Sequence, residues 1–118
     1  MKTTTIFGIK NCDTMKKAFK YLDENEVKYH FHNYKIEGID KLTIEKWLHH
    51  LPLEKLVNTK GTTFRKLSEK EKEAAKIPAK AIELMIKNPS LIKRPVVDLG
   101  NGKCLLGFHE AEWNNVKF

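Results

Sequence analysis

Cysteine is scarce in this sequence: Cys12 and Cys104 are the only two in 118 residues. Two thiols allow one disulfide at most, which excludes a disulfide-stapled scaffold. Long apolar runs are missing as well. No stretch approaches the ~20 consecutive apolar residues of a membrane helix, so no membrane span is expected. The opening segment, Met1-Lys2-Thr3-Thr4-Thr5-Ile6-Phe7, has no long apolar core followed by a small-residue cleavage site. No secretion signal is expected, and a reducing, cytoplasmic location follows as an expectation. There is no internal repeat, low-complexity tract or linker. Glycine-rich phosphate loops, dinucleotide fingerprints and nucleophilic-serine motifs are absent, which leaves nucleotide-dependent and serine-hydrolase chemistry without their usual signatures.

What is present suits one domain spanning residues 1–118, with 41% hydrophobic residues to build a core. The formal net charge is +7. Its basic residues are spread along the chain and mixed with acids, as in Glu69-Lys70-Glu71-Lys72-Glu73. That pattern describes a solvated basic surface, and no DNA-binding module accompanies it. Direct nucleic-acid binding is not expected, and the chain is expected to be a monomer.

Thr4 to Ile9 is β-branched and apolar and predicts a short buried strand with a turn after it. A helix is predicted from Cys12 to about Asn25, with Met15, Ala18, Phe19 and Leu22 on one face and Asn11 or Asp13 as its cap. Val27 to Lys35 alternates as a strand, with Val27, Tyr29 and Phe31 on its dry face and Lys28, His30 and His32 facing solvent. Strand, helix and strand in this order imply a right-handed parallel βαβ unit. A helical insertion follows at roughly 41–91. Its first helix carries Leu42, Ile44, Trp47, Leu48 and Leu51, and Leu53 to Val57 adds one turn. Asn58 to Thr63 reads as a loop. Ser68-Glu69-Lys70-Glu71 is a capping box, and beyond Pro78 a helix carries Ala81, Ile82, Met85 and Ile86. Val96 to Leu99 and Cys104 to Phe108 form a hairpin around Asn101-Gly102. A last amphipathic helix holds Ala111, Trp113 and Val116. The fold class is therefore α/β: a mixed four-stranded sheet covered by helices, with the insertion between the βαβ unit and the hairpin.

Cys12 stands directly after a strand and at a helix start. Unpaired N–H groups and the helix dipole there favour an anion, and thiolate is the reactive form of cysteine. Lys10, Lys16 and Lys17 add positive charge, and Asp13 opposes it. A buried, inert cysteine is the competing reading. A Cys-x-x-Cys pair would put a second thiol at position 15, where this chain has Met15. Cys104 is the other candidate. With the hairpin turning at Asn101-Gly102, Cys104 pairs near Leu99 and Gly107 near Pro95. If Pro95 lies beside Cys12, Cys104 is then about 13 Å away along the strand, beyond the ~7 Å that a disulfide spans. A one-cysteine mechanism needs an external thiol to resolve its intermediate.

Ile9-Lys10-Asn11-Cys12-Asp13-Thr14, Asn58-Thr59-Lys60-Gly61-Thr62-Thr63-Phe64-Arg65-Lys66-Leu67, Ile92-Lys93-Arg94-Pro95 and the terminal Leu105-Leu106-Gly107-Phe108 together resemble the arsenate-reductase-like (ArsC/Spx) family of thioredoxin-fold proteins, in its YffB-like subgroup. The resemblance implies a thioredoxin-like sheet with a helical insertion and Cys12 as nucleophile. It also implies a cis Pro95 facing the site, with Arg94 beside the thiolate. Arsenate reductases of this branch surround the cysteine with arginines, which suit a tetrahedral oxyanion. Arg94 matches one of them, while Asn58 and Gly107 stand where two others are implied. Lys60 and Arg65 are cations close in sequence to that motif. Spx-type regulators bind the RNA polymerase α subunit and sense redox state through a Cys-x-x-Cys pair that Met15 breaks.

The function expected from this reading is a thiol-dependent reductase with glutathione as co-substrate, no bound cofactor and Cys12 as the catalytic residue. Lys10 and Asn11 shape the approach to the helix start. Arg94 stabilises the thiolate and holds a carboxylate, and Pro95 offers backbone groups to the bound thiol. Thr62, Thr63 and Arg65 line the far side of the cleft. Arsenate reduction and an Spx-like, non-enzymatic polymerase partner are the two alternatives. No metal site is expected: His30 and His32 share a strand face without further ligands, and His49-His50 ends a helix. Trp47, Phe64 and Trp113 read as core residues.

Overall fold

The computed structural model describes residues 3–118. Met1 and Lys2, part of the opening segment read for a leader, lie outside the described residues. The chain packs as two units: residues up to Glu37 together with Arg94–Phe118, and Gly38–Lys93.

The first unit is built on a sheet. Strand β1 (Thr4–Gly8) is followed by helix α1 (Asp13–Glu24), strand β2 (Tyr29–Asn33) and a helical turn, α2 (Tyr34–Glu37). After the second unit come β3 (Val96–Asp98), β4 (Cys104–Leu106) and the short helix α8 (Glu110–Trp113). The strand order is β2-β1-β3-β4. β1 runs parallel to β2 and antiparallel to β3, and β3 runs antiparallel to β4. The mixed four-stranded sheet expected from the pattern is therefore the one formed. β1 is a central strand, so four of its five residues are buried. Ile6, Val97 and Leu105 of the sheet meet Met15, Ala18 and Leu22 of α1, with Leu99 and Trp113 completing that core.

Several local expectations are corrected here. The N-cap of α1 is Cys12 itself, in an extended conformation, and neither Asn11 nor Asp13 caps the helix. β2 stops at Asn33 because the Asn33 side chain accepts the Lys35 N–H at 3.0 Å, a local turn that competes with the strand ladder and starts α2. His32 is not a solvent-facing residue: its ring lies 4.8 Å from Phe7, and its Nδ1 is 3.8 Å from the Glu37 carboxylate. The hairpin pairs Asp98 with Cys104, one residue from the expected Leu99. Its loop is Gly100-Asn101-Gly102, closed by Leu99 N–H donating to Lys103 O at 3.0 Å. Gly100 and Gly102 both take positive φ there, +77° and +86°. β4 ends at Leu106, since Gly107 (φ +75°) turns the chain. Ala111 is exposed, and Trp113 carries the burial of the last helix.

The second unit, taken alone, is helical. It holds α3 (Lys41–Leu48), α4 (Leu53–Leu56), α5 (Thr62–Arg65), α6 (Glu69–Ala74), α7 (Pro78–Lys87) and a 3-10 turn at Pro89–Leu91. Asp40 caps α3 by accepting the Thr43 N–H at 2.8 Å. Ile44 and Trp47 face the core, whereas Leu42 is exposed. Leu42 sits two residues from Ile44, roughly 200° around a helix, and so points away from that core. Ser68 and Glu71 close the expected capping box on α6. Ile86 is partly exposed on α7, whose buried face is Ala81, Ile82 and Met85. Phe64 is half-buried with the Lys72 ammonium 5.9 Å from its ring, not a core residue. Thr62 and Thr63 belong to α5 and not to a loop, and the turn is set by Arg65 N–H donating to Gly61 O at 3.2 Å. One turn is too short for helical periodicity to show in the sequence. Among the described residues, no helix is long and apolar enough to cross a membrane.

Candidate functional site

The end of β1 delivers the chain to Cys12. Gly8 is buried, and a Cβ on it would stand 2.5 Å from Met15 Sδ. Any side chain at position 8 would have to displace the buried Met15 thioether where the strand passes under the first turn of α1. Lys10 and Asn11 follow, both exposed. Cys12 turns back with its N–H donating to Lys10 O at 3.2 Å. Its carbonyl then accepts the Lys16 N–H at 2.9 Å, opening the helix ladder.

β3 brings Arg94 and Pro95 to the same end of the sheet, because Phe7 pairs with Val96. The Arg94–Pro95 peptide is cis, as the resemblance implies. Pro95 is buried, and its carbonyl accepts the Gly107 N–H at 2.8 Å. Trp113 Nε1 donates to Gly107 O at 3.3 Å, so α8 holds the same segment from behind.

The Cys12 thiol is only partly exposed, and burial pulls its pKa up. The Met15 N–H, the hydrogen bond and charge of Arg94, and the Thr14 N–H together outweigh that burial and leave the thiol below its ordinary value. The arrangement is one that favours thiolate: a sulfur at a helix start with a guanidinium beside it. Cys104 differs. Burial, then the charge of Asp98, push its thiol up to about 11. Both cysteines are free.

The structure brings Cys12, Arg94 and Pro95 together, with Lys10 and Asn11 immediately before the cysteine. Lys60, Thr62, Thr63 and Arg65 belong to the second unit, where Lys60 is exposed and the other three lie on α5. Asn58 is also in that unit: its N–H donates to Leu91 O at 2.7 Å, and its side chain packs against Gly61. One residue near Arg94 was not singled out in the sequence. Tyr34 is 4% exposed. Burial holds its phenol well above the ordinary value despite the charge of Arg94. An aromatic at the end of an alternating strand carries no sequence mark that separates it from core.

Comparison with known proteins fits this geometry. The ArsC family model matches residues 7–116. The solved structure of a YffB protein is 48% identical, covers 95% of this chain and 96% of its own, and superposes with a TM-score of 0.88. An arsenate reductase (ArsC) related protein from Brucella melitensis is 46% identical, with 95% and 92% of the two chains covered and a TM-score of 0.75. The global transcriptional regulator Spx of Streptococcus mutans is 28% identical over 92% of this chain and 78% of its own. With its sheet, its helix-start cysteine and its cis proline in the arrangement that the motifs implied, the chain belongs to the ArsC family.

Proposed function

We propose that the chain is a single-cysteine thiol reductase that uses glutathione as its second thiol. The observation that supports this most is the lowered Cys12 thiol, favoured as thiolate by the Met15 N–H and Arg94 against the pull of burial. The thiolate attacks one sulfur of a disulfide, and the other sulfur leaves with the bonding electrons. Glutathione thiolate then attacks the mixed disulfide on Cys12 and restores the Cys12 thiolate. Arg94 steadies the anion at both stages and pairs with a carboxylate of the tripeptide. Lys10 and Asn11 border the approach, and the backbone at Pro95 faces the bound thiol. Lys60, Thr62, Thr63 and Arg65 carry no step in this scheme. It operates in a reducing compartment such as the cytoplasm.

Cys12→Ser is expected to abolish glutathione-coupled disulfide reduction, and Cys104→Ser to leave it nearly unchanged. Equal loss in both variants contradicts the scheme. The likeness to Spx favours a second reading, a polymerase-binding regulator. That reading requires co-purification with RNA polymerase that persists in Cys12→Ser. Arsenate reduction has less support, since Asn58 and Gly107 stand where the family resemblance calls for further arginines.

A further inference from the structure

A groove of about 580 Å³ runs along one face of β2, and one end of it is lined by Lys10, Asn11 and Lys16, whose backbones flank and hydrogen-bond Cys12. Its floor is Tyr29 and Phe31, alternate residues of the strand, with Phe19 of α1 stacked 5.8 Å from Tyr29 and edge-on at 4.9 Å from Phe31. Ile36, 82% exposed, forms one wall. Lys10, Asn11 and Lys16 form the end next to the nucleophile.

We propose that this groove selects the substrate: it takes an extended polypeptide segment with an apolar side chain and acidic neighbours, which carries the disulfide that Cys12 attacks. The inference rests on the reductase reading and names its substrate class. Four observations carry it. Tyr29 to Asn33 spans about 13 Å of strand, room for roughly four extended residues. The groove lies on an edge strand, open on the side away from β1. Its floor is aromatic and aliphatic, which offers nothing to glutathione, a tripeptide without an apolar side chain. Its charge at the reactive end is positive: Lys10 and Lys16 are exposed, and among the described residues neither pairs with a carboxylate. The one acid on the rim, Glu37, is engaged by the Asn33 N–H at 3.3 Å and by His32. An acidic segment therefore meets the exposed Lys10 and Lys16 at that end, where they outnumber the single lining carboxylate, Glu37.

The chemistry balances with glutathione alone. In a glutathionylated peptide, the Cys12 thiolate bonds to the glutathionyl sulfur, and the peptide thiolate leaves with the electron pair and takes a proton from water. A second glutathione thiolate attacks that sulfur on Cys12, releasing glutathione disulfide and the Cys12 thiolate. The peptide sulfur is reduced, and two glutathione sulfurs end as the disulfide.

The test compares two glutathionylated hexapeptides, one with phenylalanine and two glutamates around its cysteine, the other with glycine and serine. The wild-type protein is expected to reduce the first about tenfold faster, and the ratio is expected to fall toward one in Ile36→Ser. A ratio of one in the wild type, or an unchanged ratio in Ile36→Ser, overturns the proposal. Binding of the two reduced peptides to Cys12→Ser, followed by fluorescence anisotropy, separates the groove from the reductase reading. Tighter binding of the acidic, apolar peptide supports the groove even if Cys12 proves inert, and equal binding overturns it. A dimer in sedimentation that Ile36→Ser dissolves assigns the groove to a second copy of the chain and also overturns it.

Discussion

Asp98 and Cys104 stand opposite each other on β3 and β4. Burial and that carboxylate push the Cys104 thiol up to about 11, while Cys12 moves the other way. At neutral pH, Cys12 is therefore expected to be the more reactive of the two sulfurs. Iodoacetamide at pH 7 is expected to modify Cys12 and spare Cys104, as read by peptide mass mapping. The rate at Cys12 should rise with a midpoint below the ~8.5 of an ordinary thiol. Equal labelling of both cysteines contradicts the assignment.

Stability should respond to the same difference. A thiol whose folded pKa is raised stabilises the fold below its unfolded pKa, and that contribution is lost as the pH climbs through the folded value. For Cys104 the window runs from ~8.5 to about 11. Thermal melts across it are expected to show a falling Tm, with a shallower fall in Cys104→Ala. Cys12 has the opposite sign: its contribution is present above the unfolded thiol value and fades as the pH drops through the lowered folded one.

Arg94 lowers the Cys12 thiol through both a hydrogen bond and its charge. Arg94→Gln removes both and is expected to cut the alkylation rate at pH 6 by about an order of magnitude, the worth of one charge-assisted bond. Arg94→Lys returns the charge without the planar fork and should recover only part of the loss. A pH–rate profile on the three proteins reads this directly.

Trp113 is fully buried. Its ring meets Phe108 edge-on at 4.8 Å and Tyr21 at 5.5 Å. Trp113→Ala is expected to cost ~3–5 kcal/mol by denaturant titration. It also removes the donor to Gly107, the residue that holds Pro95, so the Cys12 alkylation profile should change in whatever fraction stays folded.

The sequence made some of this legible and not the rest. The face of α1 was readable because Met15, Ala18 and Leu22 repeat at helical spacing over twelve residues. The capping box at Ser68 was readable because its two partners sit three residues apart. The end of β2 was hidden, since the alternation continues past Asn33 while an Asn side chain diverts the backbone. α5 was hidden because four residues cannot display a period. At the site, a cysteine at a helix start was visible by itself. Its neighbour Arg94 was not: 82 positions separate the two, and only family resemblance joined them. The buried Tyr34 escaped because burial of one hydroxyl depends on packing, which no local pattern records.

The order of the strands has a consequence for how the protein is made. β1 lies between β2, which follows it closely in the chain, and β3, which comes only after the whole helical unit. Ribosomal synthesis therefore yields Cys12 first, 82 residues ahead of Arg94. Until β3 docks against β1, Cys12 lacks the Arg94 contribution that lowers it. The nascent chain thus carries a less acidic thiol until the sheet is closed.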